Sequence, residues 1–143
     1  MKSTTFTKIL LIPLLFITVM LSAGCMTVKG YQGEARGVGE TALLTETSYH
    51  PLYIKSVNGE TVGFFHNKAS ILPGTNYLRV KVLMPTGSDV RGVPMIENYF
   101  IKEITFEAKA GHVYRIDGII NRNNQWVWVE DSESREVVGG HKP

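Results

Sequence analysis

Apolar residues occur in this chain first as one run near the amino terminus and then as short segments in which apolar and polar residues alternate. The run covers Ile9–Leu21, thirteen mostly apolar residues, and Lys2 and Lys8 precede it. Thirteen helical residues would reach about 20 Å, which is less than the roughly 30 Å hydrocarbon core of a bilayer. A positive head, a short apolar run and small residues are typical of a secretory signal peptide. The pattern therefore predicts that residues 1–24 are removed.

Alternation beyond residue 40 predicts β-strands. Asn58-Gly59 lies between two β-prone segments and is a strong hairpin signal, because a type I′ turn needs positive φ at both positions. Pro73-Gly74 fits a type II turn. In the strand that follows, apolar Leu78, Val80, Val82 and Met84 alternate with Arg79 and Lys81, so one face is predicted to be buried. The segment 84–94 is predicted to be a long loop.

Further strands are predicted in the second half of the chain. Residues 98–120 indicate two strands joined at Ala110-Gly111, with Phe100, Ile104 and Phe106 on one face. Two more strands, around residues 126–130 and 135–138, are separated by a polar turn at 131–134. Seven or eight short strands and no amphipathic helix predict an all-β fold. The expected architecture is a small antiparallel β-sandwich, or a partly open barrel, over residues 40–140.

The two ends of this predicted domain have a different composition. Residues 25–39 include four glycines and show no apolar periodicity, which favours a flexible tether that holds the domain some distance from a membrane. An edge strand around Val28–Gln32 is the alternative. Residues 139–143, "GGHKP", are predicted to be a frayed terminus.

Charge and cysteine content narrow the function classes. The formal charge of +2 comes from Lys2 and Lys8, and residues 25–143 hold thirteen basic and thirteen acidic residues. A balanced chain has no electrostatic footprint for nucleic acid and no basic patch for lipid headgroups. Cys25 is the only cysteine, so no disulfide within the chain is expected.

The segment Leu21-Ser22-Ala23-Gly24-Cys25 resembles the lipobox of bacterial prolipoproteins. The resemblance implies that Cys25 becomes the first residue of the mature chain and carries three acyl chains, so that the membrane is a partner of the protein. Met26, rather than an aspartate, follows the cysteine. By the same resemblance this implies the periplasmic face of the outer membrane, with the inner membrane as the alternative. An ordinary secretory signal with a chance cysteine is the competing interpretation.

The segment 57–82 resembles PEGA-type β-modules. Those modules combine a hairpin that has a glycine turn with a Pro-Gly turn that leads into an alternating strand. The resemblance implies a small extracytoplasmic β-sandwich with a binding or scaffold role.

No motif in the chain predicts catalysis, a metal site or a cofactor. The four histidines, His50, His66, His112 and His141, show no metal-ligand spacing. Glu103 and Glu107 are four apart in a predicted strand, about 13 Å from each other, which is too far for a glycosidase pair. They are interpreted as part of a solvated strand face.

Trp126 and Trp128 are the candidate ligand or partner surface. Two residues apart in a strand, they point to the same face. If Val127 and Val129 face the core, the two indoles lie outside, where they can stack on sugar rings or on a partner. If the tryptophans face the core, they are its largest members. The pattern leaves both interpretations open.

These observations predict a non-enzymatic, lipid-anchored envelope protein that acts as a binding or structural accessory module. One alternative is a carbohydrate- or peptidoglycan-binding module that uses Trp126 and Trp128, so the expected partner is an envelope protein or a glycan. A hydrolase with a site built from Glu, Asp and His is the other alternative.

Overall fold

The computed structural model describes residues 27–47, 51–63, 66–88, 91, 94–121 and 124–143. In this part of the chain the secondary structure consists of β-strands and one short 3₁₀ turn at Val38–Glu40. The strands are β1 Val28–Lys29, β2 Ala42–Glu46, β3 Leu52–Val57, β4 Glu60–Thr61, β5 Lys68–Ile71, β6 Gly74–Ser88, β7 Pro94–Ala108, β8 Val113–Ile120, β9 Gln125–Asp131 and β10 Val137–Gly140.

The strands form two sheets that pack face to face. One sheet has six strands in the order β1-β5-β2-β8-β9-β10, and the other has four in the order β4-β3-β6-β7. The prediction of an all-β sandwich is therefore confirmed. The two sheets do not form the partly open barrel that was the alternative. Two neighbouring pairs, β1 with β5 and β2 with β8, are parallel, and the others are antiparallel.

The core lies between the two sheets and is built from the inward face of each strand. On β6 this face carries Leu78, Val80 and Val82, all without exposed surface. Ile104 and Phe106 of β7 are buried beside them, and Phe100 packs against the same cluster. The alternation in these strands predicted their buried faces correctly.

Local turn chemistry was predicted correctly at two places. Asn58 and Gly59 have φ of 50° and 87°, as the type I′ turn between β3 and β4 requires. The Asn58 side chain also accepts the backbone N–H of Tyr77 at 2.7 Å, which joins this turn to β6. Gly74 has φ of 104° and leads the chain from the six-stranded sheet into the four-stranded one.

The predicted long loop at residues 84–94 is wrong. β6 continues to Ser88 and β7 begins at Pro94, and the two strands pair over this whole length. Their register shifts between Met84 and Pro85 and again between Pro85 and Gly87. Proline lacks an N–H donor and is tolerated in strands at such bulges, so the turn-forming composition was compatible with a continuous hairpin.

The structure of residues 28–40 agrees with the alternative of an edge strand and not with the predicted flexible tether. β1 pairs with β5, and the Gly30 N–H donates to Ser70 O at 2.8 Å. Tyr31 is only 5% exposed, and its hydroxyl accepts the Arg36 N–H at 3.0 Å. Gly30 packs closely against β5, because an added Cβ would lie only 3.2 Å from Ser70 O. Its presence therefore does not indicate a linker.

In the described residues no helix is long and apolar enough to cross a membrane. The predicted signal peptide, Cys25 and His50 lie outside the described residues.

Candidate functional site

Strand β9 places its valines in the core and its tryptophans on the opposite face. Val127 and Val129 belong to the buried cluster between the sheets. Trp126 is half-buried and Trp128 is 5% exposed, but neither belongs to that cluster. The arrangement with the indoles on the outer face of the six-stranded sheet is therefore the one adopted.

The carboxyl-terminal residues cover these tryptophans, so the prediction of a frayed terminus is wrong. The chain turns at Gly140, where φ is 78°, and the His141 N–H donates to Val127 O at 3.1 Å. The His141 ring lies 4.6 Å from the Trp126 ring, centroid to centroid. Lys142 Nζ lies 5.4 Å from the centroid of the Trp128 ring.

Glu130 holds this terminal segment through charge. Its side chain is almost fully buried and accepts from Lys142 Nζ at 2.8 Å, while Arg115 and Arg135 each approach it to 3.2 Å. The hydrogen bond from Lys142 and the charges of the two arginines hold the pKa of Glu130 below its usual value, although burial opposes this. Trp128 is thus enclosed beneath Lys142, and only Trp126 remains partly accessible.

Beside Trp126 a cleft of about 540 Å³ opens where β7 of one sheet meets the ends of β9 and β10 of the other. We call it the Trp126 cleft. It is bordered by β7, by the start of β9 and by the end of β10, with the lining residues Lys102, Glu103, Ile104, Asn124, Gln125, Trp126, Val127, Gly140 and His141. β10 pairs with β9 only as far as Trp128, so β9 borders the cleft beyond that point.

Lys102 brings a positive charge to this cleft from the inward face of an edge strand. It lies between Phe100 and Ile104 in the alternation of β7, and its Nζ is 6.0 Å from the centroid of the Phe100 ring. An inward-pointing charge on an edge strand discourages edge-to-edge association. The cleft is thus lined by Lys102, by Glu103 and by Trp126, a combination of charged and aromatic residues suited to a polar ligand that has one apolar face.

The sequence predicted Trp126 as a candidate, but it did not predict the other residues that line the cleft. Asn124 and Gln125 directly precede Trp126 in the chain, whereas Lys102 and His141 reach the cleft from other strands. Lys102 had one local signal, because a charged residue occupied an otherwise apolar face of the strand between Phe100 and Ile104.

A close His–carboxylate pair lies elsewhere in the fold. His112 Nδ1 is 2.6 Å from Oδ2 of Asp131, and Oδ1 of the same carboxylate accepts the N–H groups of Glu133 and Ser134 at 2.9 and 3.1 Å. Burial alone would raise the pKa of Asp131, but the bonds from His112 and these two amides lower it to about 2. The pair fastens the turn before β8 to the turn after β9.

This pair meets part of the geometric requirement for the hydrolase alternative. His112 lines a second cavity, of about 410 Å³, together with Thr41 and Ser70. The Thr41 hydroxyl donates to Gly37 O at 3.3 Å. Ser70 lies on β5, separated from β8 by β2. Asp131 accepts hydrogen bonds from His112, Glu133 and Ser134, so the pair holds these two turns together.

Asp131→Asn is expected to change the acid stability of the domain. A carboxyl whose folded-state pKa is lowered contributes stability above its ordinary value of 3.8, and this contribution is lost as the pH falls toward 2. The contribution at neutral pH is about 2 kcal/mol. Urea unfolding of both proteins between pH 6 and 2 should show their free energies of unfolding converging as the pH falls. A constant difference over this range would contradict the assignment.

Glu103 and Glu107 lie on the solvated outer face of the four-stranded sheet, as predicted. Glu103 accepts from the Tyr77 hydroxyl at 2.8 Å and pairs with Arg79 at 3.3 Å. Glu107 accepts from the Thr75 hydroxyl. Both carboxylates are therefore used in contacts across neighbouring strands.

Within the described ranges no group of three or more His, Cys, Asp or Glu side chains is arranged to hold a metal ion. His66 follows β4, His112 precedes β8, and His141 follows β10.

Comparison with known protein families, with curated proteins and with solved structures finds no match to this chain. The resemblances to prolipoproteins and to PEGA-type modules therefore stay predictions.

Proposed function

We propose that this chain is a non-enzymatic, lipid-anchored protein of the bacterial envelope that binds a ligand in the Trp126 cleft. Cys25 is the residue that carries the acyl chains, and the periplasmic face of the outer membrane is its location. The β-sandwich is the binding module.

The observation that carries the binding role is the composition of the cleft. Its volume of about 540 Å³ lies within the usual range of ligand sites, roughly 300–1,000 Å³. The residues that line it include a partly accessible tryptophan, an asparagine, a glutamine, a histidine and one charged residue of each sign. Ligand sites combine apolar area with a few polar groups that orient the ligand.

A photo-crosslinking residue tests this role in intact cells. Gln125 lines the cleft and is exposed, so a photoreactive residue there should give a crosslinked product of defined mass. The matched control is the same residue at Tyr99, which is 59% exposed on β7 and lies outside the cleft. Equal crosslinking at both positions, or none at Gln125, would contradict the proposal.

A carbohydrate is the second candidate, since the cleft contains Trp126. The apolar face of a pyranose stacks on an indole, and the amides of Asn124 and Gln125 are suited to its hydroxyls. Trp128 is enclosed beneath Lys142 and takes no part in this candidate site.

Trp126→Ala is expected to weaken retention on isolated cell-wall material by about tenfold, because losing one stacked ring costs roughly 1.4 kcal/mol. Ile119→Ala is the control, since Ile119 is the cross-strand neighbour of Trp126 and is exposed. Retention is measured by co-sedimentation and binding by tryptophan fluorescence. A wild-type protein that neither sediments with the material nor changes its fluorescence would exclude the carbohydrate candidate and leave other ligands for the cleft.

A further inference from the structure

We infer that the β1 edge of the six-stranded sheet rests directly on the membrane that holds the lipid anchor. This inference depends on the proposed acylation of Cys25 and adds the orientation of the domain. It follows from the length of chain between the anchor and the fold, and from the surface found where the two meet.

Very little chain separates Cys25 from the folded domain. β1 begins at Val28, so only Met26 and Thr27 lie between it and the cysteine. The three steps from Cys25 to Val28 span at most about 11 Å. The flexible tether expected from the glycines would have allowed tens of ångströms, but residues 28–40 are packed against the sandwich. An acylated Cys25 therefore holds the β1 edge at the level of the lipid headgroups.

The surface at this edge is a cavity with an apolar lining. We call it the β1-side cavity; it is the second cavity described above, with a volume of about 410 Å³. Thr27 contributes to its wall, so the cavity begins at the residue nearest the anchor. The remaining lining residues are Lys29, Tyr31, Ala35, Arg36, Val38, Thr41, Ala42, Leu43, Ser70, Gly111, His112 and Val113.

Two large apolar side chains project from this cavity. Val38 is 90% exposed and Val113 is 39% exposed. An aliphatic side chain so exposed gains free energy when it enters the boundary between headgroups and acyl chains. Thr27, two residues after Cys25, lines the same cavity as Val38 and Val113, so one orientation brings both the acyl chains and these side chains to the membrane.

The charged side chains at this surface neither attract the domain to the membrane nor repel it. Lys29 and Arg36 line the cavity, and Glu34 and Glu40 lie in the same segment. The local charge is balanced, so the contact is expected to depend little on anionic lipid. Apolar burial and the covalent anchor provide the attraction.

This orientation directs the Trp126 cleft away from the bilayer. β1 is one edge strand of the six-stranded sheet and β10 is the other. Five strand spacings of about 4.8 Å separate them, or about 24 Å. A domain that rests on its β1 side therefore presents the cleft to the envelope space, where a ligand can enter it.

Site-specific fluorescent labels on the full acylated protein in phosphatidylcholine vesicles test the orientation. One variant carries Val38→Cys, and the matched control carries Asn124→Cys, an exposed position in the turn before β9. In the acylated chain the native cysteine is blocked, so the label reacts only at the new position. The label at residue 38 should be shielded from aqueous iodide and quenched by a spin-labelled lipid, while the label at residue 124 should behave in the opposite way.

Intact mass of the same preparations separates the two hypotheses. An acylated protein whose two labels are equally quenched by iodide would overturn the orientation and leave the proposed anchor in place. A protein of unmodified mass would overturn the anchor and, with it, this inference.

Discussion

Cys25→Ser is expected to leave the chain unacylated and to move it from the membrane fraction to the soluble periplasmic fraction. A serine hydroxyl does not replace the thiol that receives the diacylglycerol in the prolipoproteins that this segment resembles. The wild-type mass is expected to equal that of residues 25–143 plus three acyl chains. One acyl chain gives only marginal, reversible membrane binding and two signals give stable anchoring, so the loss of all three should release the protein almost completely.

The measurement is intact mass spectrometry of detergent-extracted protein, combined with fractionation of the cells. Ser22→Ala serves as the control, because it keeps a small residue before the cysteine and should remain acylated. A wild-type protein with a free thiol would contradict the lipoprotein assignment. A serine variant that still fractionated with the outer membrane would show that contacts other than the acyl chains hold the protein there.

Gly140→Ala is expected to lower the free energy of unfolding by about 3 kcal/mol. Gly140 has φ of 78°, and an added Cβ would lie 2.4 Å from Val127 O and 2.8 Å from Trp128 Cα. Both obstacles are backbone atoms of the neighbouring strand β9, so a change of rotamer cannot relieve them. The end of β10 should detach and remove His141 and Lys142 from the two indoles.

Urea unfolding measures the loss of stability, and tryptophan emission at low urea reports the exposure of Trp126 and Trp128 as a shift to longer wavelength. Gly39→Ala is the matched control, because an added Cβ at Gly39 meets nothing within 4 Å; it should change the stability by less than about 0.5 kcal/mol. A Gly140→Ala protein with wild-type stability and wild-type emission would contradict the role assigned to the terminal segment.

Two glycines, Gly30 and Gly140, show why the composition of the chain did not predict the structure at either end of the domain. Gly30 and Gly140 were interpreted as parts of flexible segments, since glycine is the residue of linkers and frayed ends. In the structure Gly30 lets β1 approach β5 closely, and Gly140 lets the chain reverse over the tryptophans. A glycine in the sequence indicates either a flexible segment or a place where two strands pack closely, and only the position of the neighbouring strand distinguishes the two.

The strands were predicted well where their determinants are local. Alternation along β6 and β7 identified the faces that bury Leu78, Val80 and Phe106, and Asn58-Gly59 identified a turn through its need for positive φ. The prediction failed at residues 84–94, because the turn-forming residues there also fit a bulged hairpin. Whether such a segment continues as strand depends on the partner across the hairpin.

The candidate site could be predicted only in part. The spacing of Trp126 and Trp128 indicated that they share a face, but it did not indicate which face, because valines and tryptophans can both form a core. The structure assigns the valines to the core and encloses Trp128 beneath Lys142. Lys102 and His141 join Trp126 only through the packing of separate strands.

By itself, the sequence of this protein determined the class of fold, its principal turns and the buried faces of its strands. Each of these depends on residues that are close together in the chain, through the period of two along a strand or the φ preference of a turn. The tertiary structure alone decided the order and direction of strands in the two sheets, the absence of a long tether within residues 28–40 and the composition of the Trp126 cleft. These depend on contacts between residues far apart in the chain, which a local pattern does not encode.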